Sequence, residues 1–237
     1  MTALLGPLLR IALISGLIAG VATSIFQELQ VTPLLLEAER LEQTVVHLHD
    51  DGTTHVHGGW APENGWERRL WTGVANVVTG WAFALLLGAA MFLRGKSVDA
   101  KSGVLWGLLG FLVFVFAPSL GLPPELPGME VAELEARQFW WLGTVLATAS
   151  GLALAFSGKS RWWQLLGASL LLTPHLLGAP HPVTPESAVP AELSARFVMA
   201  SLSASAGFWV LLGGVSGKLM ERLSLEFPET VTAQASL

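Results

Sequence analysis

The chain contains no cysteine, and only 13% of its 237 residues are charged. The lack of thiols excludes disulfide bonds, thiolate metal sites and cysteine catalysis. Any metal site must therefore use histidine, carboxylate, amide or backbone ligands. An average soluble domain is about one-quarter charged, whereas this chain is 52% hydrophobic and has a mean hydropathy of +0.56. The composition therefore argues against a soluble protein.

Three further absences narrow the function. The sequence contains no nucleotide-binding loop, so the chain is not expected to hydrolyse ATP. No paired catalytic groups converge in the sequence, and neither an enzyme nor a nucleic-acid partner is predicted. The apolar stretches hold no Asp, Glu, Lys or Arg near their centres, which argues against a proton-coupled antiporter with carboxylate relays. Transport would be channel-like or would depend on a partner for its driving force.

Six apolar stretches predict an all-α integral membrane protein, because a bilayer core of about 30 Å needs roughly 20 apolar residues in a helix. The first stretch could be a signal peptide, but its apolar run is long and no clean cleavage site follows, so we interpret it as a helix. The fifth stretch is short for the bilayer core. We predict one membrane domain over 1–222, a cytoplasmic tail over 223–237, and helices near 4–27, 70–93, 104–120, 139–156, 162–177 and 197–219.

The distribution of charge predicts how these helices are oriented. Lys and Arg near helix ends stay on the cytoplasmic side, which places both termini in the cytoplasm and a loop over 28–69 outside. Acidic outer loops would concentrate divalent cations by electrostatic focusing. The basic residues on the inner side are Arg10, Arg94, Lys96, Lys101, Lys159, Arg161, Lys218 and Arg222. The acids on the outer side are Glu28, Glu37, Glu39, Glu42, Asp50, Asp51, Glu63, Glu67, Glu125, Glu130, Glu133, Glu135, Glu186 and Glu192.

A recurring pattern predicts three parallel repeats of a two-helix hairpin. Each unit contains a helix, an outer segment with proline, an arginine and a second helix. Parallel repeats related by an axis along the membrane normal are known among transporters. The alternative is ordinary enrichment of Pro and Glu in outer loops. We expect Arg137 and Arg196 to pair with Glu133 and Glu192 or to extend towards water. The pattern is carried by Thr32-Pro33, Ala117-Pro118 and Thr173-Pro174, and by Arg69, Arg137 and Arg196.

The outer loop contains a histidine-rich segment, His47, His49, His55 and His57, arranged as two H-x-H pairs around Asp50-Asp51-Gly52. In an extended strand the two rings of each pair point to one face, about 6.6 Å apart. A three-residue turn at 50–52 would form a hairpin over 45–58 with all four rings on one face. A two-residue turn, Asp51-Gly52, would place the two pairs on opposite faces.

Such a segment indicates metal capture outside the membrane. Neutral imidazole suits cobalt, nickel, copper and zinc, and Asp50 or Asp51 could complete the ligand set. Four histidines within eleven residues, out of six in the whole chain, favour a metal site. The alternatives are a solvated hairpin with incidental histidines or a loop that senses pH.

Two other regions carry candidate ligands. His175 and His181 follow Pro174, which frees a helix carbonyl that could bind a cation, although His175 could instead cap the helix. Gln27 and Glu28 end the first helix, where an ionisable group suggests a function. Glu37 and Glu39 fit better in an acidic outer vestibule. Asn76 of the second helix joins Gln27, Glu37 and Glu39 as a candidate for a metal pathway.

Four further stretches stand out: Gln30-Val31-Thr32-Pro33-Leu34 followed by Glu37-Ala38-Glu39, Ala117-Pro118-Ser119-Leu120-Gly121-Leu122-Pro123-Pro124-Glu125-Leu126-Pro127-Gly128, Arg137-Gln138-Phe139-Trp140-Trp141 and Pro174-His175-Leu176-Leu177-Gly178-Ala179-Pro180. Together these stretches resemble the CbtA family, the predicted cobalt transporter subunit of bacteria. They accompany the histidine-rich loop and span nearly the whole chain. The resemblance implies a protein of the bacterial inner (cytoplasmic) membrane in cobalt uptake for cobalamin biosynthesis, together with a small one-helix, His-bearing partner.

Two hypotheses follow. In the first, the chain lies in the lipid bilayer, captures a divalent transition metal on the histidine hairpin and passes it inward past Glu28 and His175. Cobalt is the suspected cargo, and nickel and zinc remain alternatives. In the second, the chain is a scaffold or assembly subunit that does not transport and whose loop binds metal structurally. A cavity touching Glu28, Asn76 and His175 would favour transport, and a dry core would favour a scaffold. A homo-oligomer stays open.

Overall fold

The structure, a computed structural model, describes residues 2–46, 62–157, 160–182, 187 and 189–226. Across these residues the chain is almost entirely helical, and one isolated antiparallel β-bridge joins Met129 to Ser187. The helices are α1 (Thr2–Phe26), α2 (Thr32–Val46), α3 (Trp66–Leu93), α4 (Ala100–Phe111), α5 (Ala117–Ser119), α6 (Leu134–Ser157), α7 (Arg161–Leu177) and α8 (Ala191–Glu226). The all-α prediction is confirmed for this part of the chain.

Five helical segments of the described chain are long and apolar enough to cross a membrane: Gly6–Glu42, Trp66–Leu93, Ala100–Ser119, Leu134–Phe156 and Ala191–Leu223. The segment predicted near 162–177 is helical as α7, but its 17 residues fall short of that length. Six spans are therefore not established by length and composition. Many large apolar side chains on these helices are exposed, as expected for surfaces that face lipid.

The helices extend further than the apolar runs indicate. The clearest difference lies at 28–46, which the sequence assigns to the outer loop and which is helical. α6 and α8 begin several residues before their predicted starts, at Leu134 and Ala191. The apolar criterion counts only the part of a helix that matches the lipid core. Polar helical turns beyond that core are invisible to it because water can solvate their side chains.

Two five-residue π-helical turns interrupt the long helices, at Gln27–Val31 and Leu112–Phe116. Each is followed closely by a proline, Pro33 and Pro118. Proline has no N–H to donate, and its ring clashes with the carbonyl four residues earlier. A local change of helical pitch accommodates that clash, and such π turns are frequent at functional sites.

The chain divides into two compact units. The first unit holds the described residues of Met1–Gln30, Gly52–Gly110 and Ser203–Leu237. In it, α1 packs antiparallel to α3 at glycines, since a Cβ at Gly16 would meet the backbone of Gly80, and a Cβ at Gly20 would meet Val77 Cα at 2.7 Å. α4 packs antiparallel to the corresponding part of α8, where Gly103 and Gly213 make backbone contact. Small residues permit this close helix packing in lipid.

The second unit holds the described residues of Val31–Asp51 and Phe111–Leu202. In it, α6 and α7 pack antiparallel through Gly151 and Gly167, where the closest approach again involves backbone atoms. α2 packs through Leu34 and Ala38 onto a buried apolar cluster. The other buried members of that cluster are Leu126, Val189, Leu193 and Phe197. This apolar contact fixes α2 as an ordered helix in a region that the sequence assigns to a loop.

Candidate functional site

A cluster of polar side chains lies between α1 and α3 in the first unit. Asn76 Nδ2 on α3 donates hydrogen bonds to Ser24 Oγ at 3.0 Å and to Gln27 Oε1 at 2.7 Å. Ser24 Oγ also donates to the Gly20 carbonyl at 2.8 Å. Gln27 is the first residue of the first π-helical turn. Gln27 and Asn76 are both candidates for a metal pathway in the sequence analysis. The structure brings these two residues together; we call them, with Ser24, the amide cluster.

Glu28 lies beside the amide cluster and pairs with an arginine. Glu28 Oε1 is 2.7 Å from Arg69 Nε, and both side chains are partly accessible to solvent, by 36% and 67% respectively. Arg69 and Asn76 are seven residues apart on α3, which places them on the same helix face, two turns apart. The carboxylate and the neutral amides therefore form one polar end of the α1–α3 contact. The sequence singles out Glu28 but does not identify Arg69 as its partner.

From the amide cluster towards the start of α1, helices α1 and α3 pack in direct contact. Gly20 lies against Val77, and Gly16 lies against Gly80 and Trp81. The backbones are so close here that a side chain on either glycine would collide with α3. Trp81 Nε1 donates to the Leu13 carbonyl at 3.1 Å. Beyond the amide cluster, this contact between α1 and α3 therefore offers no space for an ion.

Another face of α1 carries small and hydroxyl side chains. Thr23 is 8% exposed, and its Oγ1 has no hydrogen-bond partner among the described residues. Further along α1, Ser15 Oγ donates to the Ile11 carbonyl at 2.6 Å, and Ser216 Oγ of α8 donates to Ser15 Oγ at 3.0 Å. Ser15 and Ser216 are fully buried.

His175 and His181 belong to the second unit. The ring of His175, in the last turn of α7, packs edge-on against Trp140 with ring centroids 6.2 Å apart. Trp140 in turn covers Gly121. His181 is exposed after the end of α7. Packing against an aromatic ring agrees with a structural role for His175 at a helix end. His175 is also partly exposed, and a cation could contact only that exposed part.

The second unit contains an ion pair that the sequence assigns differently. Arg137 Nη2 donates to Glu125 Oε2 at 2.6 Å, with the two side chains 31% and 20% exposed. The expectation that Arg137 pairs with Glu133 is wrong, because the side chain of Glu133 is exposed and only its backbone carbonyl contacts the Arg137 N–H, at 3.1 Å. The pair borders an open, mainly apolar cavity of about 600 Å³ lined by Pro123, Pro124, Trp141 and Leu142 among others.

We expect this ion pair to stabilise the second unit. Glu125→Gln and Arg137→Met should each lower the free energy of unfolding by about 1–2 kcal/mol, less than for a fully buried pair because both groups reach solvent. The double variant should lose less than the sum of the two single losses. Unfolding of the purified protein in detergent measures this. Glu133→Gln is the matched control, and a loss there as large as that of Glu125→Gln would contradict the pairing.

The remaining predicted ligands stand apart from these clusters. The histidine-rich segment with His47, His49, His55, His57, Asp50 and Asp51 lies outside the described residues. Glu37 is exposed on α2 and Glu39 is half-buried. Within the part of the chain that the structure describes, no three His, Asp or Glu side chains gather closely enough to hold a metal ion. The metal ligands named from the sequence therefore remain predictions.

Comparison with known proteins identifies the chain at the level of family. Neither a curated protein nor a solved structure matches it. A family model does match, over residues 5–221, and that family is described as "Probable cobalt transporter subunit (CbtA)". The membrane-length helices agree with that description. Since the match covers most of its length, the chain belongs to the CbtA family.

Proposed function

We propose that this chain is the membrane subunit of a divalent transition-metal uptake transporter, with cobalt as the cargo. In this proposal the metal is captured outside on the histidine-rich segment and moves inward past Glu28, Gln27 and Asn76. The observation that carries it is the amide cluster beside Glu28. Gln27 and Glu28 lie in a π-helical turn of a membrane-length helix, and the chain belongs to a family of transporter subunits.

The chemistry of this region suits the transit of a cation better than its tight retention. The Glu28 carboxylate supplies the charge that attracts a cation, and neutral oxygens of Ser24, Gln27 and Asn76 can replace its water ligands. Conduction requires that a site bind strongly enough to admit an ion and weakly enough to release it. Tight capture is then the task of the histidines, whose imidazoles are the better ligands for cobalt.

The position of α2 supports the capture step. α2 ends at Val46, and the first histidine of the segment is the next residue. Its other end is fixed by the buried contacts of Leu34 and Ala38. The segment thus starts from an ordered helix.

The finer topology is part of the proposal. Six helices cross the bacterial inner membrane, with α7 as a short fifth span, both termini in the cytoplasm and the histidine-rich segment outside. Three two-helix repeats form the single domain over 1–222, supported by the π-helical turn that precedes both Pro33 and Pro118. A small one-helix, His-bearing subunit completes the transporter, in keeping with a family described as a transporter subunit.

A second candidate function is a scaffold or assembly subunit that carries no metal across. The glycine contacts of Gly16 and Gly20 favour it, because they close the α1–α3 contact below the amide cluster.

Removing the four histidines should lower uptake most when metal is scarce. We expect His47, His49, His55 and His57 changed together to alanine to reduce cobalt accumulation at least fivefold in metal-starved cells and less than twofold at abundant metal. Capture raises the local concentration of the ion, and this matters only when the ion limits the rate. Accumulation of cobalt, nickel and zinc in cells with and without the chain and its presumed partner measures this.

The double variant Thr53→Ala/Thr54→Ala is the control, since it changes the same segment and leaves all four histidines in place. Equal uptake by the wild type and the four-histidine variant at both metal levels would reject the capture role. No accumulation that depends on the chain, with or without the partner, would favour the scaffold function.

A further inference from the structure

We infer that Arg69 is a competing cation that occupies the Glu28 carboxylate when no metal is present, and that it thereby sets the metal concentration at which uptake is half-maximal. This inference rests on the proposed function, since it concerns the same carboxylate. It adds a residue that determines affinity and that is not itself a metal ligand.

The geometry places the guanidinium where an incoming cation would bind. Arg69 Nε contacts Glu28 Oε1 at 2.7 Å. Glu28 is the residue after Gln27, whose side chain accepts a hydrogen bond from Asn76. A cation held by Glu28 would bind the same carboxylate that the guanidinium pairs with. Arg69 and a metal ion therefore compete for this carboxylate, because two cations beside it would repel each other.

The ion pair is of a kind that a metal ion can displace. The Arg69 side chain is 67% exposed and that of Glu28 is 36% exposed, so neither group is enclosed by the protein. Partly exposed ion pairs contribute little to stability. The released guanidinium can leave the carboxylate without being buried in the protein. A divalent ion carries twice its charge and binds carboxylate oxygen directly.

The expected consequence is a lower apparent affinity in the wild type. A ligand that binds only the form with a free carboxylate has its affinity reduced by the fraction of molecules in that form. Removing the competing cation should raise that fraction to nearly one. The same reasoning predicts no benefit when the carboxylate itself is absent.

The test compares three variants by cobalt uptake at a series of concentrations. R69Q should lower the half-saturating cobalt concentration at least threefold. R68Q is the matched control, because Arg68 is the preceding residue on α3 and its Nη1 donates instead to Asn64 Oδ1 at 2.7 Å. R69K keeps a cation at the site, and its half-saturating concentration should stay within twofold of the wild type. Gel filtration checks that each variant is folded.

The outcomes separate this inference from the proposed function. If E28Q abolishes uptake while R69Q leaves the half-saturating concentration unchanged or raises it, the inference is overturned and the proposed function stands. If E28Q takes up cobalt like the wild type, the route past Glu28 is wrong. The double variant E28Q/R69Q should behave like E28Q alone, and a gain in affinity from R69Q in that background would overturn the inference.

Discussion

Gly213→Leu is expected to prevent the chain from folding. A Cβ at this position would collide with the Gly103 carbonyl oxygen and would lie 2.7 Å from Gly107 N and 2.8 Å from Gly107 Cα. All three are backbone atoms, so no change of side-chain rotamer can relieve the clash. Even Gly213→Ala should lower the free energy of unfolding by about 1–3 kcal/mol, the usual range for overpacking. Gel filtration and thermal unfolding in detergent measure both effects.

Gly207 supplies the matched control on the same helix. It is exposed, and a Cβ there would meet no atom within 4 Å. Gly207→Ala should leave stability unchanged or raise it by about 0.5–1 kcal/mol, because alanine favours the helix more than glycine does. If Gly213→Ala and Gly207→Ala had the same stability, the contact between α4 and α8 would not be as close as the structure shows.

The sequence predicts the helices well because lipid imposes one strong rule. Every backbone polar group inside the bilayer must be satisfied within its own segment, so a long apolar run indicates a helix. α3 and α6 contain their predicted stretches entirely, and the helical run Ala100–Ser119 covers nearly all of the stretch predicted near 104–120. This rule does not predict α2, because one side of α2 is polar. The helical state of α2 depends instead on the buried contacts of Leu34 and Ala38 with distant parts of the chain.

The candidate site is predicted in its residues but not in its pairings. Gln27, Glu28 and Asn76 stand out in the sequence because polar groups are costly near lipid. Which of them touch depends on the register between α1 and α3, which the glycine contacts set. Arg137 shows the same limit: Glu133, four residues earlier, is the local choice, whereas Glu125 reaches the guanidinium only because of the fold of the intervening loop. Sequence spacing therefore identifies the partner of neither Arg69 nor Arg137.

Asn76→Leu is expected to reduce metal uptake at least tenfold at both scarce and abundant metal, if the amide cluster lies on the route of the ion. Leucine keeps the approximate size of asparagine but removes both hydrogen bonds to Ser24 and Gln27, at 3.0 Å and 2.7 Å. It also removes an oxygen that could replace a water ligand of the cation. The loss should be independent of metal concentration, unlike that of the four-histidine variant, because it affects passage rather than capture.

Thr79→Val is the matched control, since Thr79 is an exposed polar residue one turn further along α3. It should take up metal like the wild type. Asn76→Leu leaves Ser24 and Gln27 without their donor and should cost about 1–3 kcal/mol of stability, so uptake must be normalised to the amount of folded protein in the membrane. If folded Asn76→Leu protein then transports at the wild-type rate, the ion does not pass the amide cluster. That result would favour the face of α1 with Ser15 and Thr23, or the scaffold function.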